Sequence, residues 1–224
     1  MLTADKIYNQ INTLTAEIIE TGLCDAQNFP SRKTISGNIE EISVSNTDHS
    51  IFLKSIPYVE MFRRLNETRT YNLKMIDGAL ISMSYKFVRK RLVEHRLSFF
   101  PSPDLEMFQN DPDLYLDDEI YNDIIDKRIV TVPIRFDFDY SDGAFEPKLH
   151  PISHLTLGQY ENCRIPVSAA LTPYQFLLFI ISNFYHTAHI KSSDRFSVFK
   201  DCFSVTLFEE EKELLHVNVP MYKG

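Results

Sequence analysis

The hydrophobic pattern near the N-terminus predicts an amphipathic helix over residues 3–21. Its apolar positions recur every three or four residues and fall on one helix face: Ile7, Ile11, Leu14 and Ile18. Thr3 can cap the first turn, and Gly22 can end the last one. We therefore expect this face to pack against the core.

A second helix is predicted near residues 173–187, where the chain is apolar on nearly every side. Thr172 is placed as an N-cap, Pro173 as the first helical residue and Gln175 as the third, which completes a capping box. Since a helix that is apolar all round must be buried, we expect it to lie centrally against a sheet.

Alternating apolar and polar positions predict the strands. Asp77-Gly78 marks a hairpin turn between residues 71–75 and 79–87, and residues 88–91 mark the next turn. Further strands are predicted at residues 33–55, 92–100, 129–140 and 152–158, a short helix at 57–67, and a final hairpin between 199–208 and 213–219. The pattern indicates an α+β fold in a single domain, 1–224, with a largely antiparallel sheet covered by the two main helices.

Negative charge is concentrated in one segment of the chain. The chain carries a net charge of −8, and residues 104–126 hold nine acidic side chains and no Lys or Arg. Short apolar spacings there predict an acidic helical insertion over about 104–127, either a solvated face or a docking surface for a protein partner. The acidity argues against nonspecific duplex binding, but it leaves room for a nucleotide or nucleic-acid site.

Several classes of protein are disfavoured. With only six glycines the chain contains neither GxxxxGK[ST] nor GxGxxG. The three cysteines, Cys24, Cys163 and Cys202, are widely spaced and indicate reduced thiols in a cytoplasmic protein. The longest purely apolar run, Phe176–Ile181, is far shorter than the ~20 residues of a membrane span, so no membrane association is expected.

The candidate chemistry lies between residues 135 and 164. Strand alternation places Arg135, Asp137 and Asp139 on one face, and His150 and His154 follow in the next segment. Phosphate contacts are expected from Arg135 and Arg164, with His95 and Arg96 joining from a neighbouring strand.

Two chemistries, and a structural alternative, stay open for these residues. The carboxylates and imidazoles suit a divalent metal such as Mg²⁺ or Mn²⁺. Without a metal, His154 would transfer protons, Asp139 would orient it, and the arginines would hold phosphate. If His150 and His154 share one strand, they lie roughly 13 Å apart and only one can occupy the centre. In the structural alternative, Arg135 pairs with a neighbouring aspartate and has no chemical role.

The basic cluster Lys86, Arg89, Lys90 and Arg91 is predicted to lie at a hairpin tip. Four charges at such a tip are typical of a solvated turn, and they also suit a nucleic-acid contact. A pure nucleic-acid-binding module would need this tip to lie beside Arg63, Arg64 and Arg69.

The chain resembles an uncharacterised conserved bacterial domain family. The segments that carry the resemblance are His95–Pro103, Ile134–Asp139, His150–Gly158, Cys163–Pro166 and Asn183–Tyr185. The resemblance implies a single-domain cytoplasmic protein from mobile-element-like gene neighbourhoods, and it supplies no catalytic residue. It suggests a phage-defence or toxin-like setting by association alone.

Taken together, the residues favour an effector that acts on phosphodiester or nucleotide substrates, which would make it a nuclease or a nucleotide-directed phosphodiesterase. In that hypothesis Arg135 and Arg164 bind phosphate, Asp137 and Asp139 hold a metal or orient a base, and His154 transfers a proton. The alternative is a non-catalytic subunit of a defence complex that docks through residues 104–126 onto an ATPase or nuclease.

Overall fold

A computed structural model describes residues 2–44, 56–103 and 132–222, except 142, 144, 147 and 161. The helices in this part of the chain are α1 (Ala4–Glu20), α2 (Tyr58–Glu67), α3 (Pro173–Phe184) and α4 (His186–Ser192). The strands are β1 (Cys24–Gln27), β2 (Ser31–Ser36), β3 (Ile39–Ser43), β4 (Leu73–Met75), β5 (Leu80–Val88), β6 (Arg91–Phe100), β7 (Ile134–Asp139), β8 (Ser153–Leu157) and β9 (Ile165–Pro166).

The described strands form one sheet in the order β1-β4-β5-β6-β7-β8-β9, and the β2–β3 hairpin attaches through β3 to β5. Every strand pairing in it is antiparallel. The α+β prediction and the largely antiparallel sheet are therefore confirmed.

One face of the sheet is covered by α1 and α3, as the apolar patterns predict. The four spaced apolar residues of α1 are buried with Phe176 and Ile180 of α3 and with the odd-numbered residues of β5 and β6. A buried amide joins the helices, because the Tyr174 N–H donates to Gln10 Oε1 over 3.1 Å.

The helix boundaries follow local chemistry. Thr3 caps α1 by accepting from the Lys6 N–H, and Thr172 and Gln175 form the predicted capping box at the start of α3. The predicted helix over 173–187 is divided at Tyr185, whose ψ of 47° ends α3 before α4 begins.

The opposite face of the sheet is covered at one end by α2. Met61, Phe62 and Leu65 of α2 pack there against Leu80 and Phe100. Farther along β6 and β7 this face becomes polar, and that change positions the site described below.

Two tight turns confirm the predicted hairpins. Gly78 adopts the left-handed conformation, with φ 83°, between β4 and β5, and the Asp77 carboxylate accepts from the Ala79 N–H. Arg89 and Lys90 form a two-residue turn between β5 and β6, where Val88 pairs with Arg91.

The predicted C-terminal hairpin is wrong. Residues 199–208 and 213–219 form no ladder with each other, and each instead makes an isolated bridge to the segment after β9. Val205 bridges to Ala169 and Val217 bridges to Val167. The bridge partner of each segment is therefore the chain at residues 167–169, and not the other segment.

The predicted acidic helical insertion over 104–127, and the parts of 33–55 and 129–140 at positions 45–55 and 129–131, lie outside the described residues. Among the described residues, no helix combines the length and apolar character that crossing a membrane requires.

Candidate functional site

The register of three neighbouring strands builds a row of polar side chains. Arg96 of β6 pairs with Asp137 of β7, which pairs in turn with His154 of β8. Because cross-strand partners point to the same side of a sheet, the three side chains lie together on the face opposite α1 and α3.

Asp137 is the centre of this row and is only 8% exposed. Its Oδ2 accepts from Arg135 Nε at 2.6 Å, and its Oδ1 accepts from Arg96 Nε at 3.2 Å. Burial opposes ionisation of the carboxyl group, but the charges of Arg135 and Arg96 prevail and hold its pKa below the usual value. Asp137 is therefore an ionised carboxylate fixed between two guanidinium groups.

His154 faces Asp137 with a defined nitrogen. Its Nδ1 lies 2.9 Å from the Pro151 carbonyl oxygen, and since that oxygen can only accept, Nδ1 carries the proton. The unprotonated Nε2 of the neutral ring then lies 3.7 Å from Asp137 Oδ2. Burial lowers the pKa of His154, and Asp137 offsets only part of this effect. At neutral pH the ring is a neutral base.

His150 lies beside His154, with the ring centroids 5.2 Å apart. The expectation of a large separation is wrong because β8 begins only at Ser153, and the chain bends at Pro151 and Ile152 instead of continuing straight. Burial and the charge of Arg164 lower the pKa of His150. The structure thus brings two neutral imidazoles together.

Asp139 does not orient His154 as the sequence analysis expected. Its Oδ1 accepts from the N–H of Ser141 at 2.9 Å and from the Ser141 hydroxyl, which closes the chain after β7. Asp137 is the carboxylate next to His154. The charge of Asp139 instead acts on His150, where it offsets part of the lowering of the pKa by burial and by Arg164.

The expected substrate contact of His95 also needs correction. Its side chain is only 1% exposed and stacks near Tyr85 and Phe138 on the core face. The Leu171 N–H donates to its Nε2 over 3.1 Å. His95 neighbours Arg96 in sequence, and strand alternation therefore sends the two side chains to opposite faces.

A second row runs parallel to the first. Ser98 pairs with Arg135, and Arg135 pairs with Thr156. Continuing the β8–β9 register, in which His154 faces Pro166, places Arg164 opposite Thr156. We call Ser98, Arg135, Thr156 and Arg164 the cationic row. The buried Ser98 hydroxyl has no hydrogen-bond partner among the described residues.

Apart from the buried Ser98, the residues of both rows line a cavity of about 700 Å³, which we call the row cavity. Its far wall, Gly158–Tyr160 and Asn162, was missed by the sequence analysis. Gly158 has a φ of 66°, and a Cβ there would lie 3.3 Å from the Tyr160 ring. A glycine that ends a strand just before a polar and aromatic run was the available signal.

Carboxylates and imidazoles do not gather into a metal cluster in the described ranges, where no group of three or more His, Cys, Asp or Glu side chains could hold an ion. The placement of Asp137 gives a reason, because guanidinium groups bind both of its oxygens. The donor set does not fit the Mg²⁺ or Mn²⁺ site considered from the sequence, and we derive no step through a metal.

The basic hairpin tip and the arginines of α2 lie far apart. α2 packs on Leu80, at the start of β5, whereas the tip follows Val88 at its end. Eight residues of strand separate these positions by about 26 Å. The continuous basic surface that a pure nucleic-acid-binding module needed is therefore not formed.

Comparison with known proteins identifies a family. A family model described as "Uncharacterized conserved protein (DUF2290)" matches residues 23–219, a range that contains every strand of the described sheet and both rows of the site. No curated protein and no solved structure matches the chain. The match covers most of the chain, and the protein therefore belongs to the DUF2290 family of uncharacterized conserved proteins.

Proposed function

We propose that this protein is an enzyme that cleaves phosphodiester or nucleotide substrates in the row cavity. The observation that carries the proposal is a pair of neutral imidazoles, 5.2 Å apart, beside a row with two guanidinium groups. One imidazole can accept a proton while the other donates one, and the guanidinium groups suit a phosphate.

The cationic row supplies the phosphate contacts. Arg135 donates its Nε–H to Asp137. Within the part of the chain that the structure describes, the terminal amino groups of the same guanidinium make no hydrogen bond, which suits them to an anion. Arg164, on the other side of Thr156, adds a second cation. Charge-assisted hydrogen bonds from two guanidinium groups would hold two phosphate oxygens and stabilise the charge that develops on them.

In this proposal His154 acts as the general base and His150 as the general acid. His154 receives the proton of the attacking hydroxyl on Nε2, because Nδ1 already donates to Pro151. His150 gives a proton to the leaving oxygen when the bond from phosphorus to that oxygen breaks. A bound phosphate raises the pKa of an adjacent imidazole, so substrate binding favours the protonated form that His150 needs.

Asp137 positions the neighbouring side chains and takes no part in the bond changes. Its carboxylate fixes the guanidinium of Arg135 and that of Arg96, and it favours the protonated form of His154 once a proton has been accepted. The biological setting that we propose, a cytoplasmic phage-defence or toxin-like system, rests on the sequence resemblance alone.

The test compares wild type with His154→Ala on RNA, single-stranded DNA, double-stranded DNA and nucleotides, in Mg²⁺, Mn²⁺ or EDTA. His216→Ala is the matched control, because His216 also places Nδ1 near a backbone carbonyl, that of Leu214, but lies outside the residues lining the row cavity. We expect His154→Ala to lower cleavage by about 10²-fold or more while the control cleaves normally.

Cleavage that survives in His154→Ala would refute the assigned role of this residue. Wild type that cleaves nothing in any condition would refute the enzyme and favour the alternative, a non-catalytic subunit that docks through residues 104–126. Cleavage abolished by EDTA would show that a metal takes part in the reaction.

A further inference from the structure

A second cavity, of about 950 Å³, lies at the turn between β5 and β6. We call it the tip cavity. Its wall is apolar and includes Leu92, Phe138, Ala170 and Phe203, and its rim is the basic run Arg89–Arg91. Phe138 points to the opposite face of β7 from Asp137, so the tip cavity and the row of Asp137 lie on different sides of the sheet.

The basic rim is held in an unfavourable backbone conformation. Arg89 and Lys90 have φ values of 48° and 67°, in the left-handed region. Two-residue hairpin turns of this kind favour Asn-Gly, because side chains other than Asn, Asp and Gly are strained there. An Arg-Lys pair at such a turn therefore lowers the stability of the folded protein. Backbone outliers of this kind cluster at functional sites, which makes these two side chains candidates for a function.

Two aromatic rings stand at the same cavity. The rings of Phe138 and Tyr140 are parallel to within 9°, with centroids 6.5 Å apart. Phe138 is only 5% exposed and packs on the His95 ring, so the ring of this pair that solvent reaches is that of Tyr140. Tyr140 is 62% exposed, an unusual position for a large aromatic ring beside an apolar wall. Exposed aromatic side chains of this kind serve as stacking platforms for nucleic-acid bases.

We infer that the tip cavity binds a nucleoside phosphate unit. The base stacks on the exposed ring of Tyr140 beside the apolar wall, and the phosphate contacts the Arg89–Arg91 rim. An inorganic anion would make no use of the exposed ring, and an uncharged aromatic ligand would make no use of the strained basic turn. The unit can belong to a free mononucleotide or to a single strand, since the two present the same base and phosphate.

Tyr140→Trp provides a direct readout, because the chain contains no other tryptophan. Its fluorescence is titrated with adenosine and uridine monophosphates, an eight-nucleotide single strand, and inorganic phosphate. We expect saturable quenching by the mononucleotides or the single strand, and none by phosphate at the same concentration. Calorimetric titration of wild type with the same ligands checks that the tryptophan has not altered binding.

The three kinds of ligand show whether the bound unit is a free nucleotide or part of a nucleic-acid chain. Saturation by mononucleotides identifies a free nucleotide site, whereas saturation by the single strand alone identifies a unit within a chain. If neither ligand gives saturable quenching, and calorimetry of wild type detects no binding, the inference is refuted. Equal binding of inorganic phosphate would also refute it, since the Tyr140 ring would then contribute nothing.

Lys90→Gly separates binding from folding. Glycine is relaxed at a φ of 67°, so the variant loses a rim charge without the damage a core substitution causes. Arg69→Gly is the matched control, because Arg69 also has a positive φ, 54°, and follows α2 at the other end of the sheet. We expect Lys90→Gly to weaken binding at least tenfold with an unchanged or higher Tm, and Arg69→Gly to bind as wild type does. Full affinity in Lys90→Gly would overturn the assignment of the rim.

Discussion

His95 is a buried titratable side chain whose substitution tests the packing of the central strands. Its ring lies between Tyr85 and Phe138, with centroid distances of 5.5 and 5.7 Å. Its Nε2 accepts from the Leu171 N–H, and its Nδ1 has no partner among the described residues. Burial lowers the pKa of His95 to about 4. The folded protein therefore holds this ring neutral well below neutral pH.

The consequence for stability has a definite sign. In the unfolded chain the ring has its ordinary pKa of about 6.5, so the unfolded state binds a proton first as the pH falls. The contribution of His95 is complete above pH ~6.5 and is lost as the pH falls toward 4. Between pH 7 and pH 5, a shift from 6.5 to about 4 removes about 2 kcal/mol from the free energy of unfolding.

His95→Gln should remove this pH dependence, because glutamine does not titrate and its oxygen can accept from the Leu171 N–H. Urea unfolding followed by circular dichroism at pH 5, 6 and 7 gives the free energies of unfolding of both proteins. We expect the difference between wild type and variant to shrink by about 2 kcal/mol from pH 7 to pH 5.

The comparison isolates His95, because His150 and His154 titrate in both proteins and their contributions cancel in the difference. A difference that stays constant from pH 7 to pH 5 would show that His95 titrates normally in the folded protein. The ring would then be accessible to solvent, and the packing of β6 against α3 described above would be wrong.

Two further predictions concern the ion pairs of Asp137 and the cap of α3. Asp137→Asn removes the negative charge that Arg96 and Arg135 share. Because the side chains of these arginines are 20% and 29% exposed, we expect a cost of about 1–3 kcal/mol at pH 7, which is less than the roughly 3–5 kcal/mol for a fully buried pair. Urea unfolding should show this cost above pH ~4 and its disappearance as the pH falls through the depressed pKa of Asp137; an unchanged cost at lower pH would contradict the ion pairs. Thr172→Ala removes the capping side chain of α3 and should cost about 1 kcal/mol in thermal unfolding, with Thr172→Ser restoring most of it, and equal losses in both variants would contradict the capping role.

Local chemistry predicted much of this fold. The capping box at Thr172, the Asp77-Gly78 turn and the spacing of Ile7, Ile11 and the later apolar residues of α1 each depend on neighbours within a few residues. The same holds for the placement of Arg135 and Asp137 on one face, since strand alternation needs no knowledge of the partner strand.

The site itself depends on register between distant segments. Asp137 meets Arg96 only because β6 and β7 pair at one offset, and the two strands are joined through more than thirty residues of chain. A shift of one residue would bring His95 opposite Asp137 instead. The sequence does not encode this offset locally, and for that reason both His95 and Arg96 were candidates.

Bends in the chain, and the partners of irregular segments, are likewise not predicted by strand alternation. His150 approaches His154 because Pro151 and Ile152 turn the chain before β8. In the same way the segment after β9, and not residues 213–219, supplies the bridge partner of residues 199–208. Alternation gives the face of each side chain, whereas tertiary contacts decide which segment lies next to it.

The distance between His154 and Asp137 argues that this row is more than a stabilising ion pair. In the neutral ring the lone pair on Nε2 faces Asp137 Oδ2 at 3.7 Å, so two acceptors oppose each other with no proton between them. A row selected for stability alone would place a donor there, since buried ion pairs contribute little unless every polar atom is satisfied. A proton delivered to Nε2 converts this repulsion into a salt bridge. Asp137 therefore offsets part of the cost of burying the imidazolium ion that forms when His154 accepts a proton, which is what a general base requires.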